Sequence, residues 1–140
     1  MRTSTRATIT IVMISALLLG AEGSAVAGGK GGGRTGSTLH LVILSEPSAT
    51  EGIAHHGDQI TFHVSTTATQ PFVNARCSQG EAFVYDGWAG FFSGAWFGRT
   101  LTLSSTYWTR GSADCTARLV TFGSNGRERT LASTTFHVEA

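Results

Sequence analysis

Charge is scarce in this chain. Only 14% of its 140 residues are Asp, Glu, Lys or Arg, and ten basic against nine acidic side chains leave a formal net charge of +1. That is well below the usual quarter. It excludes the basic surface a phosphate-backbone binder needs, so no nucleic-acid partner is expected, and it excludes long charged disordered tails. Proline and cysteine occur twice each. Helix signals are almost absent beyond residue 38. Long apolar runs are missing too: Ala7 to Gly20 extends over 14 residues, short of the roughly 20 that a membrane-crossing helix needs. The length suits one ordinary domain and is too short for two.

That apolar run has a different meaning in its context. Arg2 and Arg6 form a positive amino-terminal region, Ala7–Gly20 an apolar core, and Ala25-Val26-Ala27 a small-x-small cleavage site. Together these predict a secretory signal peptide over 1–27, with an uncleaved anchor as the alternative. No cysteine stands directly after the apolar core, where a lipid would be attached, and the two arginines are not adjacent, which argues against a lipoprotein or a twin-arginine signal. The expected product is a secreted, extracellular protein beginning near Gly28, with no membrane attachment after cleavage. Taking Arg2, Arg6 and Glu22 from ten basic and nine acidic residues leaves eight of each.

Residues 28–37, GGKGGGRTGS, hold no apolar side chain. They predict a flexible linker, since such a segment has nothing to bury. The domain is then 38–140. Its strand signals are short runs of β-branched and aromatic residues between Gly, Ser and Asn turns. They predict strands over 38–44, 58–66, 72–78, 81–85, 99–104, 113–122 and 131–138. Alternation places Ile60, Phe62 and Val64 inward; Val73, Ala75 and Cys77 on one face; Leu101 and Leu103 inward; Ala113, Cys115, Ala117 and Leu119 on one face; and Ala132, Thr134, Phe136 and Val138 inward. Asn125-Gly126 predicts a hairpin between the last two strands, because both residues tolerate positive φ. About seven short antiparallel strands in this length predict an all-β sandwich.

Two cysteines in an oxidising compartment allow one intramolecular disulfide, Cys77–Cys115. The closed loop of about 39 residues is worth roughly 4 kcal/mol by chain entropy.

Three stretches carry a family resemblance. Gly57-Asp58-Gln59-Ile60-Thr61-Phe62-His63-Val64 looks like the second-strand opening of bacterial immunoglobulin-like domains. Ala113-Asp114-Cys115-Thr116-Ala117 resembles their sixth strand and Thr134-Thr135-Phe136-His137-Val138 their last. The resemblance implies an immunoglobulin-like antiparallel β-sandwich. Departures from the antibody pattern are plain: Ala113 stands where a Tyr is expected two residues before the second cysteine, and no Trp lies on the strand carrying Cys77. Two strands precede Cys77, so the bridge is expected to join neighbours within one sheet instead of pinning two sheets.

The most informative feature is aromatic. Phe83, Tyr85, Trp88, Phe91, Phe92, Trp96 and Phe97 crowd one stretch, interleaved with Gly87, Gly90, Gly94 and Gly98. The glycines speak against a long strand and predict an irregular loop. Its rings either close one end of the core or stay exposed as a binding platform. The candidate ligand-binding residues are Trp88, Phe91, Phe92, Trp96 and Phe97, with the two indoles first because they pair a flat face with a polar N–H. Tyr107 and Trp108 read as core plugs. His55-His56 lies near Glu46, Glu51 and Asp58, yet no His-x-His or His-x-x-x-His spacing occurs and His63 and His137 stand singly, so neither a metal nor any other cofactor is expected. No Gly-x-Ser-x-Gly elbow occurs and no catalytic residue is identified.

The expected function is non-enzymatic binding of a protein or cell-surface component through the aromatic loop. The alternatives are carbohydrate or cell-wall binding through exposed Trp, a small hydrolase or inhibitor, and carriage of an apolar ligand.

Overall fold

The computed structural model describes residues 36–140. The expected signal peptide, and the Gly-rich segment up to residue 35, lie outside the described residues.

Eight strands and one helical turn follow in chain order: β1 (Thr38–Ile43), α1 (Ser48–Glu51), β2 (Ala54–His55), β3 (Gln59–Ser65), β4 (Phe72–Gln79), β5 (Ala82–Gly90), β6 (Leu101–Thr102), β7 (Ala113–Phe122) and β8 (Glu128–Glu139). They form two sheets, β1-β3-β6 and β2-β8-β7-β4-β5. All pairings are antiparallel except β2 with β8, which is parallel over two residue pairs. The chain thus changes sheets between β1 and β2. It does so through α1, which ends at Gly52 in the left-handed region (φ 73), its N–H bonded to the Ser48 carbonyl at 2.9 Å.

Both sheets contribute to one buried cluster. Leu39, Ile60, Phe62 and Leu101 come from the first sheet; Val73, Ala75, Cys77, Ala117, Leu119 and Val138 come from the second. Phe62 meets Phe136 across the gap, edge to face at 6.5 Å between centroids. The alternating inward sets expected from the sequence are the buried or half-buried ones, because side chains two apart share a face of a pleated strand. Cys77 and Cys115 are bonded and are register partners on β4 and β7, neighbours in one sheet.

Two expected strands need correction. The strand expected over 81–85 runs through Ala82–Gly90. Gly87 and Gly90 do not break it; they admit close neighbours. A Cβ on Gly87 would collide with the Tyr85 ring, and one on Gly90 with the Cβ of Ala95. The strand expected over 99–104 shrinks to Leu101–Thr102, although Leu101 and Leu103 are buried as expected. The short β2 went unseen in the sequence, since two residues carry no period. The hairpin expected at Asn125-Gly126 does join β7 to β8, and in it only Gly126 takes positive φ (72). Asn125 instead accepts a hydrogen bond from the Arg127 N–H through Oδ1 at 3.1 Å, while Gly123 N–H bonds the Arg127 carbonyl at 2.9 Å.

Candidate functional site

The outer face of the five-stranded sheet is set by parity. Val73, Ala75 and Cys77 of β4 point to the core, so Phe72, Asn74 and Arg76 point away from it. Register places Trp88 and Asp86 of β5 beside Asn74 and Arg76, and Val120, Arg118 and Thr116 of β7 on the other side of Phe72, Asn74 and Arg76.

At one end of this face aromatic rings converge from separate parts of the chain. Phe72 contacts Phe92 (5.0 Å between centroids), Phe122 (5.8 Å) and Phe97 (6.4 Å), all edge to face. Trp88 lies against Phe122 at 6.2 Å. Phe72, Trp88, Phe97 and Phe122 line an open groove of about 260 Å³. Val120, the register partner of Phe72, is wholly buried. Phe97 and Phe122 remain about half exposed, and Trp96, at the tip of the connection, is 99% exposed.

Beside the rings runs a polar chain. Glu128 Oε1 pairs with Arg118 Nη1 at 2.8 Å, and Arg118 Nη2 donates to Asn74 Oδ1 at 3.2 Å. Asn74 Nδ2 donates to Asp86 Oδ1 at 2.5 Å and to the Gly87 carbonyl at 3.2 Å. Asp86 pairs with Arg76 at 3.4 Å, and the Arg76 guanidinium sits 5.7 Å from the Phe83 ring centroid. The side chain of Asn74 is fully buried yet has partners on both its oxygen and its nitrogen, which removes the penalty of enclosing an amide.

The five candidate residues therefore separate. Trp88 is on strand β5, not in a loop. Phe91 is half buried and packs on the main core. Phe92 is half buried against Phe72. Trp96 and Phe97 face solvent. Phe72 and Phe122 were missed as members of the patch, being remote in sequence from residues 83–97. Their parity, opposite to the inward sets of their own strands, was the available signal.

Of the two aromatics expected to plug the core, Trp108 does so at 7% exposure, its Nε1–H donating to the Gly111 carbonyl at 3.1 Å. It packs on Tyr85 at 6.3 Å and on His56 at 5.0 Å. Tyr107 does not plug the core: it is 77% exposed. The Ser105 hydroxyl donates to the Val84 carbonyl and accepts from the Tyr107 and Trp108 N–H groups, so the backbone here is fixed while the Tyr107 ring turns out. Burial, and then the adjacent Asp86 carboxylate, push the Tyr85 phenol above its ordinary value of 10.0.

His55, His56 and His137 are more structured than solvated loop residues. Ser48 Oγ lies 3.0 Å from His55 Nδ1, the Asp58 carboxylate accepts the His55 backbone N–H at 2.7 Å, and Glu139 lies 3.9 Å from His55 Nε2. This serine–imidazole contact ties α1 to β2. Ser48 is only 4% exposed, so its hydroxyl offers no approach to a substrate carbonyl. His137 Nδ1 pairs with Asp114 across β7–β8 at 2.7 Å. Among the described residues no group of three or more His, Cys, Asp or Glu could hold a metal ion. Comparison with protein-family models, with curated proteins and with solved structures finds no match for this chain.

Proposed function

We propose that residues 38–140 are an immunoglobulin-like β-sandwich of a secreted protein, acting as a non-enzymatic binding module. Its contact surface for a protein or cell-surface component is the aromatic patch on the outer face of the five-stranded sheet. Two features support the immunoglobulin-like reading: the sheet orders β1-β3-β6 and β2-β8-β7-β4-β5, and the chain's crossing from the first sheet to the second between β1 and β2. The amino-terminal pattern of 1–27 supports secretion.

The observation that carries the binding reading is Trp96, at 99% exposure and next in sequence to Phe97, which lines a groove with Phe72, Trp88 and Phe122. Leaving a whole indole in water forgoes roughly 1.5–3 kcal/mol of burial for a large apolar side chain. Large exposed apolar patches mark interaction surfaces, and Trp is the side chain most enriched at binding hot spots. Carbohydrate or cell-wall binding is the second reading. It is favoured by the Asp86–Asn74–Arg118–Glu128 chain, whose Asn74 is the register partner of Trp88.

Co-sedimentation of the purified protein with cell walls and insoluble polysaccharides tests both. Pelleting that Trp96→Ala plus Phe97→Ala abolishes, with the circular dichroism spectrum retained, supports the patch as the contact surface. Soluble oligosaccharides that shift the tryptophan fluorescence select the carbohydrate reading. Pelleting indifferent to both substitutions rejects the patch.

A further inference from the structure

On the other sheet, β1 and β3 bring together two histidines that are 23 positions apart in the chain. His40 and His63 are direct register partners in the antiparallel ladder. Both are exposed. Leu39, Leu41, Phe62 and Val64 turn to the core or pack against it, so parity places both imidazoles on the same outer face. The Leu44 N–H bonds the Gln59 carbonyl at 2.8 Å, four residues further along both strands. His40 and His63 therefore fall on a hydrogen-bonded pair, whose Cα atoms stand about 5.5 Å apart. At that spacing two imidazoles reach one point above the sheet by rotation about their own side-chain bonds.

The surroundings leave these rings available. His55 and His137 have carboxylate partners, and His56 packs on Trp108. Among the described residues, neither His40 nor His63 takes a side-chain hydrogen bond or ion pair. Their neighbours on this face are Thr38, Val42, Thr61 and Ser65, so no lysine or arginine of the two strands stands beside them to repel a cation.

We propose that His40 and His63 form a two-imidazole site for a late first-row divalent cation, Cu2+ or Zn2+, with water filling the remaining positions. Imidazole nitrogen is the protein ligand suited to these ions, and Cu2+ stands highest in the affinity order. The bound ion would clip the edge strand β1 to β3. Because binding favours the folded state, where alone the two rings are opposed, the ion raises thermal stability.

The test is calorimetric titration of the purified protein with Cu2+ and with Zn2+, alongside thermal melting with and without each metal. The variants are His40→Gln, His63→Gln and, as reference, His137→Gln. The expected result is saturable one-to-one binding and a metal-induced rise in Tm. Each of H40Q and H63Q should weaken affinity by at least about tenfold, since two-point attachment is lost, and remove the Tm rise, while H137Q changes neither. The rings are exposed, so all three variants should keep the wild-type circular dichroism spectrum. Should one unfold, paramagnetic broadening of assigned imidazole protons by Cu2+ in the wild-type protein decides the matter. Broadening centred on His40 and His63 supports the site; broadening centred on other histidines overturns it. Absence of one-to-one binding by either metal, or affinity unchanged in H40Q and H63Q, also overturns it.

Discussion

Cys77 and Cys115 face each other across β4 and β7, with their Cα atoms 4.0 Å apart. The disulfide stitches two neighbouring strands of one sheet, while the two sheets meet through a shared buried apolar cluster. Its effect on stability is therefore expected to act mainly through the unfolded chain, by closing a loop between residues separated by 38 positions. Replacing both cysteines by alanine should lower unfolding free energy by about 2–4 kcal/mol. Urea denaturation of the double variant, compared with the oxidised wild type, measures it, and a loss below about 1 kcal/mol would refute the loop-closure account.

Leu103 and Trp96 are expected to respond oppositely to truncation. Leu103 is completely buried, and Leu103→Ala should cost about 2–5 kcal/mol through lost burial and a cavity. Trp96 is the larger side chain but touches solvent on all sides, so Trp96→Ala should stay within about 0.5 kcal/mol of wild type. Chemical denaturation of both variants checks the contrast. Marked destabilisation by Trp96→Ala would mean that the indole packs on the protein.

Gly87 is held by Tyr85, whose ring occupies the space where a side chain would begin. Gly87→Ala should destabilise by about 1–3 kcal/mol, as overpacking does. Shortening the obstacle with Tyr85→Leu should make the added methyl less costly. A double-mutant cycle by urea denaturation reads this coupling, and additive effects of the two changes would contradict the contact.

Tyr85 also predicts a dependence of stability on pH. Its folded pKa is raised, first by burial and then by Asp86. Between the unfolded and folded values the native state holds the proton that the unfolded chain has lost. The stability linked to this phenol is therefore complete below pH ~10 and declines as pH rises through the folded value. Urea melts from pH 8 to 11 should show this decline, and Tyr85→Phe should reduce it. An equal decline in that variant would assign it to other groups.

Much of the architecture was legible before any coordinates. Period-2 alternation identifies which residues of β3, β4, β7 and β8 face the core, because a pleated strand has only two faces and burial selects one. The count of cysteines left one disulfide to form. Legibility failed where local chemistry is ambiguous. Glycines at 87 and 90 read as strand breakers, yet in the fold they make room for Tyr85 and Ala95. A two-residue strand such as β2 has no period to detect.

The candidate surfaces needed the tertiary structure. Seven clustered aromatics in 83–97 were visible, but not that Phe91 would turn to the core while Trp96 stood in water. Phe72 and Phe122 are 50 residues apart and share a patch only because β4 and β7 are neighbours. His63 stands singly in the sequence, and only register sets His40 opposite it. Composition and alternation, then, determined the all-β class, the inward faces and the single disulfide, since these depend on residue type and local period. Strand order and register decided which distant side chains meet, because they follow from how whole strands pair and pack, which no local pattern encodes.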